Sequence, residues 1–336
     1  MKRFIPLILA AATLAAAPLS SPDLPTRILE YVTPEPEEVT MVAVGDMMLS
    51  RAVATRMRRH GYDYPFASTS EYIRMADIAF GNLETPITPG PEVLPFEMSF
   101  RADPEVALAL KDAGFDILSL ANNHTPNFGE PGLEDTFKYL DDADIAHVGA
   151  GIDAKEAGQA KFMSVKGVVF AFLAYTDPSI VPRDYEAGES RAGTAFMHID
   201  QMKEAVANAA QFADIVIVSM HAGDEYEPLP NERQKDFARA AIDAGAEMVI
   251  GHHPHVVQTM EVYQGKYILY SLGNFIFDQM WSQDTREGMV AHMIFTKNGL
   301  SGITFHPVRI EDYAQPRFLE VQGNVERVMR RLHAAP

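Results

Sequence analysis

Short aliphatic and β-branched runs recur along the 336-residue chain, and nearly every one ends in a cluster of polar residues. The runs read as strands: Thr40 to Val44, Ile78 to Phe80, Asp116 to Leu120, Val168 to Tyr175, Ile215 to Met220, Glu247 to Ile250 and Tyr267 to Leu272. Helix-period segments fill the intervals. That alternation is the signature of βα units around a largely buried sheet, and it predicts an α/β fold. Helix starts are expected at Asp103-Pro104, at Asp200 before Gln201 to Phe212, and at Asn231 before Glu232 to Ala244. Gly114 and Gly245 are the expected C-cap glycines.

The residues at the end of each run decide the chemistry. Gly45-Asp46 stands after the first, Gly81-Asn82-Leu83-Glu84 after the second and Asn122-Asn123-His124 after the third. His221-Ala222-Gly223-Asp224-Glu225 stands after the fifth, Gly251-His252-His253-Pro254-His255 after the sixth and Gly273-Asn274 after the seventh. Thr176-Asp177-Pro178, after the fourth, reads as an ordinary turn. In α/β sheets ligands bind beyond the carboxyl ends of the strands, so these side chains are expected to meet in one crevice. A weak internal repeat points the same way. Asp112-Ala113-Gly114 leads through a strand to Asn122-Asn123-His124, and Asp243-Ala244-Gly245 leads through another to the histidine cluster. Common βα punctuation explains that as readily as two similar halves around one site.

Asp, Glu, Asn and His without cysteine form an oxygen and nitrogen donor set suited to Zn²⁺, Mn²⁺ or iron, and rich enough for two ions. A two-metal centre activates water near neutral pH and neutralises charge in a displacement, which makes hydrolysis the natural reaction. His253 and His255 are one residue apart, so an extended backbone would turn both imidazoles to the same side. Singly, a Gly-Asp after a strand is most often a turn and an Asn-His a local hydrogen-bonding pair. The pooled occurrence at successive strand ends favours a metal site. His60, His147, His198, His292, His306 and His333 come after no such run and read as structural; Asp141-Asp142 reads as a solvated helix end.

Lys+Arg 28 against Asp+Glu 46 gives a formal charge of −18, which repels nucleic acid and anionic lipid at long range. The N-terminus carries Met1-Lys2-Arg3 and then an apolar stretch from Phe4 to Ala17, long enough for a signal h-region and short for a span. Residues 1–20 are therefore expected to be a signal peptide or an uncleaved anchor, and the chain to be exported, periplasmic, extracellular or held at the cell envelope. The Pro- and Glu-rich residues 21–39 read as a linker, residues 40–305 as one continuous domain, and 306–336 as an extension. In that extension Val325, Val328, Met329 and Leu332 have helical spacing.

Six segments, taken in order, carry a resemblance. They are Val44-Gly45-Asp46-Met47-Met48-Leu49, Gly81-Asn82-Leu83-Glu84-Thr85, Leu120-Ala121-Asn122-Asn123-His124, His221-Ala222-Gly223-Asp224-Glu225-Tyr226, Gly251 to Gln258, and Tyr270-Ser271-Leu272-Gly273-Asn274-Phe275. Together they resemble the capsule synthesis protein CapA family, associated with poly-γ-glutamate capsule synthesis and export, whose domain is similar to calcineurin-like metallophosphoesterases. The resemblance implies a four-layer αββα sandwich. It implies metal ligands at Asp46, Glu84 (the bridging carboxylate), Asn123, His221, His253 and His255, with His124 beside the reaction as proton donor or charge stabiliser. Asn82, Asp224, Glu225, His252 and Asn274 are the candidates for orienting ligands or substrate.

Three positions depart from the pattern: Met48 stands where the phosphoesterases place the histidine of Asp-X-His, Ala222 where a tryptophan is common, and Asn127 where an aspartate often comes after Asn-His. The resemblance implies a metal-dependent hydrolase acting on or handling poly-γ-glutamate, in company with other capsule synthesis proteins. Arg51, Arg56, Arg58 and Arg59 are the local cations a polyanion could use, although a solvated helix face accounts for them equally well. A phosphoesterase of small esters or nucleotides, and a non-catalytic assembly component, are the alternatives.

Overall fold

The computed structural model describes residues 37–94 and 96–333; the expected signal peptide or anchor and nearly all of the 21–39 linker lie outside them. In chain order the strands are β1 (Val39–Met47), β2 (Ile78–Leu83), β3 (Ile117–Ser119), β4 (Ala146–Val148), β5 (Ala150–Gly151), β6 (Lys161–Val165), β7 (Val168–Thr176) and β8 (Gly193–Thr194). The second half of the chain adds β9 (Ile215–His221), β10 (Met248–His252), β11 (Met260–Tyr263), β12 (Lys266–Leu269), β13 (Asn274–Ile276), β14 (Glu287–Thr296), β15 (Gly299–Glu311) and β16 (Gln315–Phe318). The helices are α1 (Arg51–His60), α2 (Ser70–Ile73), α3 (Val106–Ala113), α4 (Gly129–Asp142), α5 (Ala154–Ala157), α6 (Ile199–Ala209), α7 (Glu232–Asp243), α8 (Gln283–Arg286) and α9 (Gln322–Leu332). No helix among the described residues is long and apolar enough to cross a membrane.

Two sheets face each other. One runs β16-β15-β14-β1-β2-β3-β4 with β13 paired to β1, and the other runs β11-β12-β10-β9-β7-β6. Alternation along each central strand divides its apolar residues between two cores. In β1, Met41 and Ala43 join Phe170, Phe172, Ile217 and Ile250 of the second sheet between the sheets, where Phe80 and Phe172 stack at 5.9 Å. Val42 and Val44 face the other way, onto Val53 and Met57 of α1, Leu110 of α3 and Leu133 and Leu140 of α4. On the far side of the second sheet, Leu173, Val218 and Val249 pack against Met202 and Val206 of α6 and Phe237 and Ala241 of α7. The result is the four-layer αββα sandwich, and its central strands are apolar on both faces because each sheet is covered twice.

All seven expected strands are present. The two segments of the weak repeat fall one in each sheet, at β3 and β10. The boundary expected at residue 305 lies within β15, which pairs with β14 and β16, while Val328 and Leu332 of α9 are buried in the core between the sheets. The C-terminal segment is therefore part of the sandwich. Its signal is Lys297-Asn298-Gly299 between two apolar runs: Lys297-Asn298 form the turn, and Gly299, at φ 120°, pairs with Thr296 to close β14 onto β15.

Helix starts are legible where a side chain caps them. Asn231 and Gln234 form a reciprocal capping box at α7. Asp103 does not cap α3: it is held by Arg101, Arg58 and Tyr62, and Glu105 precedes the helix instead. Likewise α6 begins at Ile199, one residue before the expected cap at Asp200. Replacing Asn231 with alanine is expected to lower stability by about 1 kcal/mol, seen as an earlier urea midpoint at unchanged m-value.

Candidate metal centre

Strand register sets the site. Asp46 of β1 stands abreast of Asn82 on β2 and of Asn274 on β13, and His252 of β10 stands abreast of His221 on β9. Close packing of backbone makes this register attainable. A Cβ at position 45 would lie 1.9 Å from the Gly273 carbonyl oxygen, and one at position 251 would lie 2.0 Å from that of Tyr270. Glycine before Asp46 and before His252 thus lets both sheets close up at their carboxyl ends.

The side chains converge. Ligand atoms of Glu84, His221 and His253 lie within 4.8 Å of one another, as do those of Asp46, Glu84 and His255, and those of Glu225, His253 and His255. The Asn123 Oδ1 lies 2.8 Å from His221 Nε2. Asn82 donates to Asp46 at 2.8 Å and faces His221 Nδ1 at 3.3 Å, while Asn122 donates to Asn82 at 3.1 Å. The His253 amide donates to the other Asp46 oxygen at 3.2 Å. His252, fully buried, brings Nδ1 to 3.3 Å from Asp46.

Two of the imidazoles are held in the tautomer that leaves Nε2 bare toward Glu84. Asn274 donates its amide to the Thr285 carbonyl, so its oxygen is the atom that faces His255 Nδ1 at 2.9 Å. That nitrogen must carry hydrogen, and a neutral His255 presents a bare Nε2 to Glu84, 4.0 Å away. The same logic holds for His124. The Asn127 oxygen accepts from the Phe100 amide and faces His124 Nδ1 at 3.0 Å, leaving Nε2 3.9 Å from Glu84. Asn127 therefore does the orienting expected of an aspartate, without its charge.

Glu84 is the outlier. It is wholly buried, and neither carboxylate oxygen has a hydrogen-bond partner among the described residues. Burial pushes its pKa well above the carboxylate range, with the charges of Asp46 and Glu225 adding to the effect. Burial also opposes charge on Asp46, yet His252 and His255 hold that carboxyl well below its usual value. Burial lowers His253 to about 3 and His124 to about 4, and takes His221 well down. It works against His255 too, but Glu84 and Asp46 lift that imidazole to about 9. A buried carboxylate with no donor, ringed by imidazoles, is an electrostatic hole that divalent cations fit. Its oxygens belong to two of the ligand groups, the arrangement a bridging role requires. Asp46, Glu84, His221, His253 and His255, with Asn123, could hold the ions.

Several expectations need correction. His253 and His255 do not lie on an extended segment: both have positive φ, 99° and 59°, and it is this coiled backbone that turns both rings inward. Asp224 is exposed and accepts from the Asn231 amide instead of facing the cluster. Three of the four α1 arginines are engaged elsewhere, Arg51 with Asp278, Arg56 with Asp312, and Arg58 with Glu92 and Asp103, while Arg59 is exposed. Asp177 is more than a turn residue, since it is buried and ion-paired with Arg233. No sequence signal marks Phe100, which stacks on His124 at 3.8 Å with the Arg51 guanidinium 4.7 Å from its ring centre, because Phe100 arrives on an irregular loop. Tyr226 and Trp281, in edge contact at 5.9 Å, are likewise invisible as a pair.

The model of the bacterial capsule synthesis protein family PGA_cap matches residues 40–279. The chain belongs to this family. It is 35% identical over 306 residues to the capsule biosynthesis protein CapA of Bacillus anthracis, covering 89% of this chain and 74% of that one. It is 35% identical over 272 residues to the PGA biosynthesis protein CapA of Bacillus subtilis, covering 80% and 71%. Among solved structures, a hypothetical protein from Thermus thermophilus aligns with TM-score 0.55 at 13% identity, over 81% of this chain and 100% of that one. The calcineurin-like phosphoesterase YfkN of Bacillus subtilis aligns with TM-score 0.51 at 14% identity, over 88% and 96%. The PGA_cap chain thus has the calcineurin-like phosphoesterase fold.

Glu84→Gln removes the unpartnered buried carboxyl. It is expected to stabilise the chelator-treated protein by about 1–3 kcal/mol, because a buried carboxylate without donors is costly. It should also abolish the rise in melting temperature that added Zn²⁺ or Mn²⁺ gives the unaltered protein, a rise worth about 2.7 kcal/mol at a hundredfold excess over Kd. Thermal melts with and without chelator check both.

Proposed function

We propose that this PGA_cap member is an exported, metal-dependent hydrolase that acts on or handles poly-γ-glutamate at the cell envelope, alongside other capsule synthesis proteins. The observation that carries the reading is Glu84, an unpartnered buried carboxylate shared by two ligand groups. Family membership and the names of the Bacillus relatives support the polymer; the donor set of Asp46, Glu84, Asn123, His221, His253 and His255 supports one or two Zn, Mn or Fe ions. Such ions, when bound, supply Lewis acidity and charge neutralisation.

The chain's own residues do the rest. Asn82 holds Asp46 at a fixed angle, and His252 backs the same carboxylate. Asn274 orients His255 so that Nε2 faces the centre. His124, fixed by Asn127 and clamped flat by Phe100, presents a bare Nε2. That nitrogen would take the proton lost by the attacking water and return it to the leaving group, so His124 serves as base and then acid.

A second reading, cleavage of small phosphate esters or nucleotides, is favoured by the mouth of the site. Asp224, Glu225 and Glu227 are exposed there, and Arg51, Arg56 and Arg58 are all engaged by carboxylates. A long polyanion meets little free positive charge on that side, whereas a small anion needs only the ions.

Metal-loaded protein is to be assayed against poly-γ-glutamate and generic phosphate esters. Asp46→Asn and His253→Ala should abolish turnover of the true substrate, and His124→Ala should lower kcat by about 10²–10⁴-fold. Polymer cleavage selects the first reading and ester cleavage the second. Absence of turnover with every metal refutes both and leaves a non-catalytic assembly role.

A further inference from the structure

Glu225 is the carboxylate the buried arrangement does not explain. It is exposed, yet its oxygen lies within 4.8 Å of ligand nitrogens of both His253 and His255. His253 also belongs with Glu84 and His221, and His255 with Asp46 and Glu84. An imidazole ordinarily serves one ion through one nitrogen, so this outer group is no independent third position. It is the solvent side of the same pair. We propose that Glu225 is a metal ligand of the centre, closing it from outside as Glu84 closes it from within; this rests on the two-metal reading above.

Its placement is built. The amide of Tyr226, the next residue, donates at 2.8 Å to the carbonyl of Pro254, which lies between the two imidazoles in sequence. The Glu225 backbone is thereby tied to the ligand segment. Tyr226, His253 and His255 all have positive φ (66°, 99° and 59°), strain of about 1–3 kcal/mol each that persists only where the surroundings impose it. On the other side of Glu225, Gly223 has φ 117°, and a Cβ there would lie 2.6 Å from Gln234, which completes the capping box of α7 with Asn231. The Tyr226 ring is held by Trp281 and by a 3.3 Å bond from Gln279. Of the three acids on this loop, Asp224 is taken by Asn231, and only Glu225 joins a ligand group among the described residues.

Charge argues the same way. Asp46 and Glu84 leave two divalent ions with two excess positive charges, and a third carboxylate brings the centre to one while still leaving it attractive to an anion. The number of charged ligands is a chief determinant of how tightly a site holds its ions.

Chelator-stripped protein titrated with Co²⁺ alone, with its visible absorption recorded, reports affinity and coordination together and needs no turnover. Unaltered protein is expected to take up two ions. Glu225→Gln should weaken at least one by about tenfold or more and change the band shape and intensity; Glu225→His, which supplies another donor, should recover the affinity. An unchanged spectrum in Glu225→Gln overturns the proposal even if affinity falls, since the loss is then a through-space charge effect, and the two-metal reading survives. Glu84→Gln serves as the reference for loss of a buried ligand. If the unaltered protein binds no Co²⁺, both readings fall together. Because Glu225 is exposed, equal melting temperatures of the stripped proteins are expected and verify folding.

Discussion

A carboxylate with no partner, sealed from water, is the constraint around which this protein is arranged. Glu84 is wholly buried, receives no hydrogen bond among the described residues and has four imidazoles in its neighbourhood, those of His124, His221, His253 and His255. Buried in this way the charge is strongly unfavourable, which is why the Glu84 pKa is pushed well above the carboxylate range, and a bound cation would compensate it. The neighbouring groups divide accordingly. Burial keeps His124, His221 and His253 neutral and able to donate lone pairs, while Asp46, stabilised by His252 and His255, stays ionised.

The scaffold delivers these groups by register and by missing side chains. Parallel pairing of β1 with β2 and β13 sets Asp46, Asn82 and Asn274 in one row, and pairing of β9 with β10 sets His221 beside His252. The rows come from different sheets, so the centre lies where the two halves of the sandwich meet. Gly45 and Gly251 are the residues that let backbone approach backbone there. Packing and chemistry are coupled at these points: the close approach that fills the core also fixes the ligand geometry.

The surface electrostatics separate handling of an anion at the centre from attraction over the whole molecule. A formal charge of −18 and an acidic loop at the mouth give no long-range pull on a polyanion, and three of the four arginines of α1, Arg51, Arg56 and Arg58, are bound to Asp278, Asp312, Glu92 and Asp103, with Arg59 exposed. Positive potential for a substrate must therefore be local.

The sequence by itself determined the central strands and the list of residues at the strand ends, while the αββα layering entered only through the family resemblance that its motifs carry. It could do so because a strand buried on both faces must be continuously apolar, and a polar cluster at its end is conspicuous against that run. The C-terminal hairpin is less legible because His292 and His306 interrupt its apolar runs and it joins the sheet only through the distant pairing of β14 with β1. Only the tertiary structure decided which polar groups point inward. Asp224 and Glu225 are adjacent in sequence, and the first caps outward to Asn231 while the second joins His253 and His255. Asp103 reads as a cap and is an arginine partner. Such choices depend on which donor lies within about 3 Å, a distance set by chain segments tens or hundreds of residues away, and local pattern carries no record of it.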